Sequence, residues 1–228
     1  MRTLLFDIDG TLLTSGVGAR AFARAFESEF GITKPDVGVS FAGRTDRSLM
    51  LELLTRNSLP RSQDNYGRLR RQFVAAFHQE LNRSEMTVLT GVRELLSALS
   101  QDHRICVSVM TGNLPETATL KLEHAHLRHL VKWIQGGDLD ENRDDMAFRA
   151  WRKISRNADP GSDETIVVIG DTPADVQCGQ AIKARTIAVA TGPYDEATLA
   201  AANPWKVVPD MSDTAHMVRL LTGDDLAY

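Results

Sequence analysis

Residues 4–11 read Leu4-Leu5-Phe6-Asp7-Ile8-Asp9-Gly10-Thr11, an apolar run that ends abruptly in two carboxylates. The apolar run predicts a buried β-strand. Because side chains alternate across a strand, Asp7 and Asp9 are expected to project toward the same pocket. Two carboxylates so close together repel each other unless they share a cation. This pattern indicates a site for a hard metal ion, with one carboxylate left over for chemistry.

Three later apolar runs resemble the first, at residues 104–110 (RICVSVM), 165–169 (TIVVI) and 185–190 (RTIAVA). Continuous aliphatic and β-branched runs are typical of parallel strands that are buried on both faces. Helical patterns lie between these runs, and one of them predicts a buried helix face made of Met146, Ala147, Ala150, Trp151 and Ile154. The alternation of strands and helices predicts a doubly wound α/β sheet. Ligands of such sheets bind beyond the carboxyl ends of the strands. We therefore expect the strand-end residues Asp7, Thr111 and Asp171 to converge.

The segment from residue 15 to residue 85 has a different character. It contains apolar residues at helical spacing, but no strand run comes between them. We interpret it as an α-helical cap, inserted into a core made of residues 1–14 and 86–228. An insertion beside a pocket is typical of a lid.

Composition narrows the class of protein. The chain has 228 residues, of which 43% are hydrophobic and 25% charged, as in an ordinary soluble enzyme. A net charge of -4 without a basic stripe argues against a nucleic-acid partner. No apolar run approaches the roughly 18 residues of a membrane span, and a functional strand near the start argues against a signal peptide. Cys106 and Cys178 lie in apolar segments, where free thiols in the cytoplasm are expected. A monomer and a homodimer both remain open.

Four features occur in a characteristic order along the chain. They are the Asp7–Thr11 motif, a strand-end Thr111, a basic residue, and Gly170-Asp171-Thr172-Pro173-Ala174-Asp175. Together they resemble the haloacid dehalogenase-like (HAD) superfamily, over most of the chain, and the helical insertion resembles the cap of that family. The resemblance implies that Asp7 is a nucleophile that forms an aspartyl-phosphate. It implies that Asp9 is the general acid and base. Members that displace halide generally lack the second aspartate, so Asp9 favours phosphate chemistry.

The resemblance also implies roles for the other strand-end residues. Thr111, with the backbone amides of Gly112 and Asn113, would bind the transferred phosphoryl group. Asp171 would ligate Mg²⁺ together with Asp7 and the backbone carbonyl of Asp9. Asp175 would belong to the outer part of the metal site. A role at the helix dipole is an equal alternative for Asp175.

The basic residue departs from the commonest family pattern, which is a lysine followed by proline. Arg143 stands at the expected place and is followed by Asp144. We assign it the catalytic phosphate contact in preference to Lys132 and Lys153, since arginine can bridge a carboxylate and a phosphate. In the cap, Arg44 is a candidate contact for an anionic group of the substrate. An ordinary loop before a helix is the alternative for that region.

These observations predict a Mg²⁺-dependent phosphatase that acts on a small phosphorylated metabolite. A phosphosugar mutase of the same superfamily is the alternative, because it uses the same residues and differs in how well the cap excludes water. A signalling domain that accepts phosphate on aspartate is an alternative from a different class. Such domains are shorter and have no insertion after the first strand.

Overall fold

The computed structural model describes residues 1–157 and 165–223. The strands in chain order are β1 (Arg2–Phe6), β2 (Leu13–Thr14), β3 (Thr87–Val88), β4 (Ile105–Met110), β5 (Ile134–Gln135), β6 (Thr165–Gly170), β7 (Arg185–Val189) and β8 (Lys206–Val208). The α-helices are α1 (Gly18–Phe30), α2 (Asp46–Arg56), α3 (Gln63–Leu81), α4 (Val92–Ser100), α5 (Pro115–His124), α6 (Arg143–Asn157), α7 (Pro173–Ala181), α8 (Glu196–Ala201) and α9 (Thr214–Thr222). A short 3-10 helix covers Arg128–Leu130.

The main sheet has six parallel strands in the order β5-β4-β1-β6-β7-β8. β1 lies at the centre, since the chain first builds β4 and β5 on one side and then crosses to β6, β7 and β8 on the other. This reversal is the topological switch point at which doubly wound sheets bind ligands. The doubly wound α/β fold is thus confirmed. The edge strands β5 and β8 are short, and the sequence analysis did not predict them.

Both faces of the sheet are covered by helices, which explains why its strands are apolar at successive positions. Leu4 and Phe6 pack on one face with α4, α5 and α9, whereas Leu5 packs on the other face with α6 and α7. These three strand residues are fully buried. A strand that carried polar residues at alternate positions would leave them in one of these two cores without water.

One predicted helix face is wrong in detail. The apolar pattern of α6 includes Trp151, but its side chain is 43% exposed, whereas Ala150 and Ile154 are buried. The core face of α6 is therefore narrower than the pattern suggested. Phe148, on the same helix, is also exposed at 42%.

The helices α1, α2 and α3 lie between β2 and β3 in the chain and form a hydrophobic cluster of their own. The rings of Phe22 and Phe73 stack in this cluster, with their centroids 4.0 Å apart. Leu114, at the start of α5, inserts into it from the core. β2 and β3 pair antiparallel where the chain leaves the core and returns to it.

Both cysteines are free thiols, as expected; Cys178 is buried and Cys106 is partly buried. Within residues 1–157 and 165–223, no helix has the length and apolar character needed to cross a bilayer.

Candidate active site

The carboxyl ends of three adjacent strands place the predicted residues around one point. Asp7 follows β1, Thr111 follows β4 and Asp171 follows β6. β1 pairs in register with both neighbours, with Phe6 opposite Val109 and Ile169, and the Asp7 amide donates to the Ile169 carbonyl at 2.8 Å. Residues distant in sequence therefore meet because their strands are neighbours.

Asp7, Asp171 and Asp175 form a buried acidic cluster. Each offers a carboxylate oxygen within 4.8 Å of the others. Burial, followed by repulsion from Asp175, raises the pKa of Asp7 to about 7. Burial, followed by repulsion from Asp7, raises the pKa of Asp171 to about 8. Both carboxyl groups are therefore costly to ionise at this site, first because they are buried and then because they repel one another.

One atom of the cluster lacks a partner. Oδ1 of Asp7 is buried and accepts no hydrogen bond from any residue that the structure describes. A buried acceptor without a partner is costly unless an ion or ligand satisfies it. A hard divalent cation such as Mg²⁺ fits this site, because it binds carboxylate oxygens and offsets their repulsion. Asp7 and Asp171 are the residues best able to hold it.

Two glycines make room for the Asp171 carboxylate. A Cβ atom built on Gly10 or on Gly192 would overlap Oδ2 of Asp171. Gly10 also has a φ of +79°, a conformation that side chains disfavour. Oδ1 of Asp171 accepts a hydrogen bond from the Thr11 hydroxyl at 2.9 Å. The motif after β1 thus holds Asp171 in place as well as supplying Asp7 and Asp9.

Both oxygens of Asp175 already have protein partners. Oδ2 accepts hydrogen bonds from the Thr172 backbone amide at 3.0 Å and from the Thr172 hydroxyl at 2.7 Å. The Thr172 side chain in turn accepts a hydrogen bond from the Asp175 amide, and the two contacts form a capping box at the start of α7. Oδ1 pairs with Arg143. These contacts suit a residue that orients its neighbours better than a direct metal ligand.

Arg143 is the basic residue that the fold brings to the cluster. It is buried at the start of α6, pairs with Asp175, and places a guanidinium nitrogen 3.8 Å from Oδ2 of Asp7. These acidic neighbours raise the pKa of Arg143 above its usual value despite burial, so the group stays charged. Lys132 is exposed, and Lys153 lies over the ring of Trp133 at 4.4 Å. Of the three basic residues considered, Arg143 is therefore the one that lies beside Asp7.

Asp9 is held by a lysine that the sequence analysis missed. Nζ of Lys121 donates to Oδ2 of Asp9 at 2.5 Å and to Oδ1 of Asn113 at 2.5 Å, and Nδ2 of Asn113 donates to Oδ2 of Asp9 at 2.9 Å. Lys121 is only 5% exposed. One signal was available, because Lys121 falls on the buried face of α5 in step with Ala118 and Leu122. A lysine at such a position needs a partner.

The Thr111–Asn113 loop closes the site beside Asp9. Thr111 is fully buried, and its hydroxyl accepts a long hydrogen bond, 3.4 Å, from the Asn113 amide. α5 then begins with Pro115 at its first turn. Thr111, Gly112 and Asn113 all line the cavity that the acidic cluster opens into.

This cavity has a volume of about 490 Å³ and lies between the sheet and helices α1–α3. Arg44, the predicted anion contact, lines it, but its guanidinium pairs with Glu52 at 2.6 Å. Thr45 rather than Asp46 is the N-cap of α2, and its side chain accepts from the Ser48 amide. Asp46 is instead buried in the cavity wall, where burial raises its pKa to about 6.

Solved structures share this architecture. A hydrolase from Pseudomonas syringae is 21% identical, with 97% of this chain and 99% of that chain covered, at a TM-score of 0.69. A predicted phosphatase from Clostridium acetobutylicum is 20% identical, with 96% and 98% covered and a TM-score of 0.68. CbbY from Rhodobacter sphaeroides, solved in complex with phosphate, is 16% identical, with 92% and 95% covered and a TM-score of 0.67.

At these identities the likeness concerns the fold. No match is found among curated proteins. The sequence model of one family, the haloacid dehalogenase-like hydrolases, matches residues 4–189, which include the strand-end acids and the helices above them. The match spans most of the chain, so this protein belongs to the haloacid dehalogenase-like hydrolase family.

Proposed function

We propose that the protein is a Mg²⁺-dependent phosphatase that hydrolyses a small phosphate monoester through an aspartyl-phosphate on Asp7. The observation that carries this proposal is the unpartnered, buried Oδ1 of Asp7, which a cation would satisfy, beside a cavity that Asp7, Asp9 and Arg143 all line. Oδ2 of Asp7, which lies 3.8 Å from a guanidinium nitrogen of Arg143, would then be the oxygen that attacks phosphorus.

The chain's own residues divide the work of the reaction. Asp7 attacks the phosphorus atom, while Thr111 and Arg143 hold the oxygens of the phosphoryl group. Asp9 donates a proton to the leaving oxygen and later accepts one from the attacking water. Lys121 and Asn113 hold Oδ2 of Asp9, which leaves Oδ1 for proton transfer. Mg²⁺ bound by Asp7 and Asp171 supplies the positive charge that offsets repulsion between a carboxylate and a phosphate.

We propose further that residues 15–85 act as the cap of this site. Helices α1–α3 have their own hydrophobic cluster, and they cover the cavity from the side opposite the sheet. A cap that closes over the bound ester excludes bulk water from the leaving group.

The test is Asp7→Asn, which keeps the shape of the side chain but removes the nucleophile. We expect the release of inorganic phosphate from a panel of monoesters with Mg²⁺ to fall by at least about a thousandfold. Asp64→Asn is the matched control, since that side chain is 78% exposed on α3. Hydrolysis by Asp7→Asn at the wild-type rate would refute the assignment.

The same panel separates the alternatives. Interconversion of hexose phosphates without net release of phosphate would identify a mutase. A phospho-aspartate that persists for hours, without turnover, would identify a signalling domain.

A further inference from the structure

The cavity has apolar residues on the side of helices α1–α3 and charged residues on the side of the sheet. Its wall on the α1–α3 side includes four phenylalanine rings and one leucine, namely Phe22, Phe41, Phe73, Phe77 and Leu49. All of these except Phe41 are at most 2% exposed, so Phe41 is the ring of this set that offers surface to a ligand and the others pack behind it. Phe41 stands in the loop before α2, is partly buried, and its ring centroid lies 6.0 Å from that of Phe22. Asp7 lines the same cavity, so the leaving group of an ester bound at Asp7 would share this space with Phe41.

The cations around the cavity are already paired. Of the described residues that line it, Arg44 pairs with Glu52, Lys121 with Asp9, and Arg143 with Asp175. The wall also contains the buried carboxyl group of Asp46. A second anionic group on the substrate would therefore face carboxylates and find no cation that lacks an acidic partner.

A polyhydroxylated leaving group would fit poorly against the apolar side of the cavity. Each hydroxyl that enters an apolar cavity loses its hydrogen bonds to water, and aromatic rings do not replace them. An apolar leaving group gains from the same wall, because its surface is removed from water. Aromatic rings add offset or edge-to-face contacts with another ring.

We propose that the substrate is a phosphate monoester whose leaving group is apolar and aromatic, an aryl or arylalkyl alcohol, with no second charge. This inference rests on the proposed phosphatase function and specifies its substrate class. The cavity of about 490 Å³ lies in the lower part of the range for small-molecule sites. It suits a phosphoryl group joined to one ring or two fused rings.

The first experiment measures binding to the full chain in the presence of Mg²⁺, with phosphonates that cannot be hydrolysed. The probes are benzylphosphonate, phosphonoacetate with a carboxylate in place of the ring, and methylphosphonate, which is too short to reach the aromatic wall. We expect benzylphosphonate to bind at least about tenfold more tightly than either of the others by calorimetry. Equal or tighter binding of phosphonoacetate would overturn the proposal.

The second experiment removes one ring of the wall. Phe41→Ser is expected to lower the ratio of benzylphosphonate to methylphosphonate affinity by about tenfold. Phe148→Ser is the matched control, since Phe148 is exposed on α6 and does not line the cavity. An unchanged ratio in Phe41→Ser would contradict a contact between this ring and the leaving group. The ligand comparison on the wild-type chain does not depend on the folding of any variant.

Turnover then distinguishes the two proposals. If phosphoglycolate or glucose 6-phosphate is hydrolysed with a higher kcat/KM than benzyl phosphate, the aromatic substrate class is wrong and the phosphatase proposal stands. If benzylphosphonate binds preferentially but no monoester is hydrolysed, the phosphatase proposal fails and the binding preference stands.

Discussion

Lys121 is a buried cation whose ammonium group joins Asp9 to Asn113, although it stands on a helix face that otherwise carries small and aliphatic side chains. The sequence analysis did not predict this contact, because Lys121 lies far from the aspartates in the sequence. In the proposed reaction Lys121 would be a positioning residue, because it would act on the leaving group through Asp9.

Lys121→Met should lower kcat by about tenfold or more for esters of poorly acidic alcohols, since general acid catalysis contributes about 10²–10⁴-fold. The loss should shrink for p-nitrophenyl phosphate, whose leaving group needs little protonation. Steady-state kinetics with both substrates provides the measurement.

Two variants test the specificity of the Lys121 effect. Lys121→Arg should recover part of the activity, because it keeps a donor for Asp9. Lys132→Met, which removes an exposed lysine, is the control. If Lys121→Met slowed both substrates equally, the residue would have a structural role and no influence on proton transfer.

A substitution at Gly10 tests whether the proposed metal site requires a residue without a Cβ atom at this position. In Gly10→Ala the new Cβ would overlap the Asp171 carboxylate, and the left-handed backbone would be strained. We expect at least about a tenfold loss of kcat/KM and a weaker stabilisation of the protein by Mg²⁺ in thermal unfolding.

Gly31→Ala separates these two causes. Gly31 also has a left-handed φ, +69°, but a Cβ there meets nothing within 4 Å. Gly31→Ala should lower the free energy of unfolding by about 1–2 kcal/mol through backbone strain alone. Mg²⁺ should stabilise this variant against thermal unfolding as much as it stabilises the wild type. If the two variants responded alike to Mg²⁺, the contact between Gly10 and Asp171 would have no importance for the site.

At the level of elements, the start of α2 is hydrogen-bonded to the loops that follow β4 and β5. The amides of Asp46 and Arg47 donate to the carbonyls of Gly112 and Gly137 at 2.7 and 3.2 Å. The Asp46 carboxylate accepts from the Leu114 amide at 2.7 Å, at the start of α5. Helix α2 therefore contacts the Thr111–Asn113 loop directly, so a movement of α2 would disturb that loop.

The buried Asp46 gives this contact a pH dependence. Its pKa is raised from 3.8 to about 6 by burial, so the folded state favours the protonated form. Its contribution to stability is therefore greatest at low pH and is lost as the pH rises from about 4 to about 6. Asp46→Asn keeps an acceptor for the Leu114 amide but has no charge to bury.

We expect the free energy of unfolding of Asp46→Asn, relative to wild type, to rise by up to roughly 3 kcal/mol between pH 4 and pH 7. Urea denaturation at several pH values measures this difference, with Asp64→Asn on the exposed side of α3 as the control. A difference that stayed constant over this range would show that Asp46 is ionised equally easily in the folded and unfolded chain.

For the whole molecule, the acidic cluster couples stability to metal and pH. The pKa values of Asp7 and Asp171 are raised to about 7 and about 8 in the metal-free protein. Below the ordinary pKa of aspartate these groups are protonated in both states and cause no penalty. As the pH rises from about 4 to about 8, the unfolded chain releases these protons more readily than the folded chain does. The free energy of unfolding therefore falls over this range.

Mg²⁺ should therefore raise the melting temperature more at pH 8 than at pH 5, because it binds the ionised carboxylates. Thermal unfolding with EDTA and with Mg²⁺ at both pH values tests this expectation. Asp171→Asn should melt higher than wild type in EDTA at pH 8 and should respond less to Mg²⁺. An equal effect of Mg²⁺ at the two pH values would exclude this cluster as the site of binding.

Much of the fold could be predicted from local pattern. The four long central strands follow from continuous apolar runs, and α7 follows from Thr172 and Pro173, which cap and open it. The short strands β5 and β8 left no such signal, because two or three residues at a sheet edge carry little periodicity. Trp151 was misplaced because apolar spacing does not say how wide a buried face is.

The amino-acid sequence by itself determined that acids and a threonine end neighbouring strands, because a parallel sheet brings its carboxyl ends to one edge. Only the tertiary structure decided that Lys121 reaches Asp9, that Arg44 pairs with Glu52, and that Phe41 lines the same cavity as Asp7. Periodicity reports which face of an element is buried. Which side chain stands opposite depends on how α1–α3 dock on the sheet, and that arrangement is set by the packing of the whole chain.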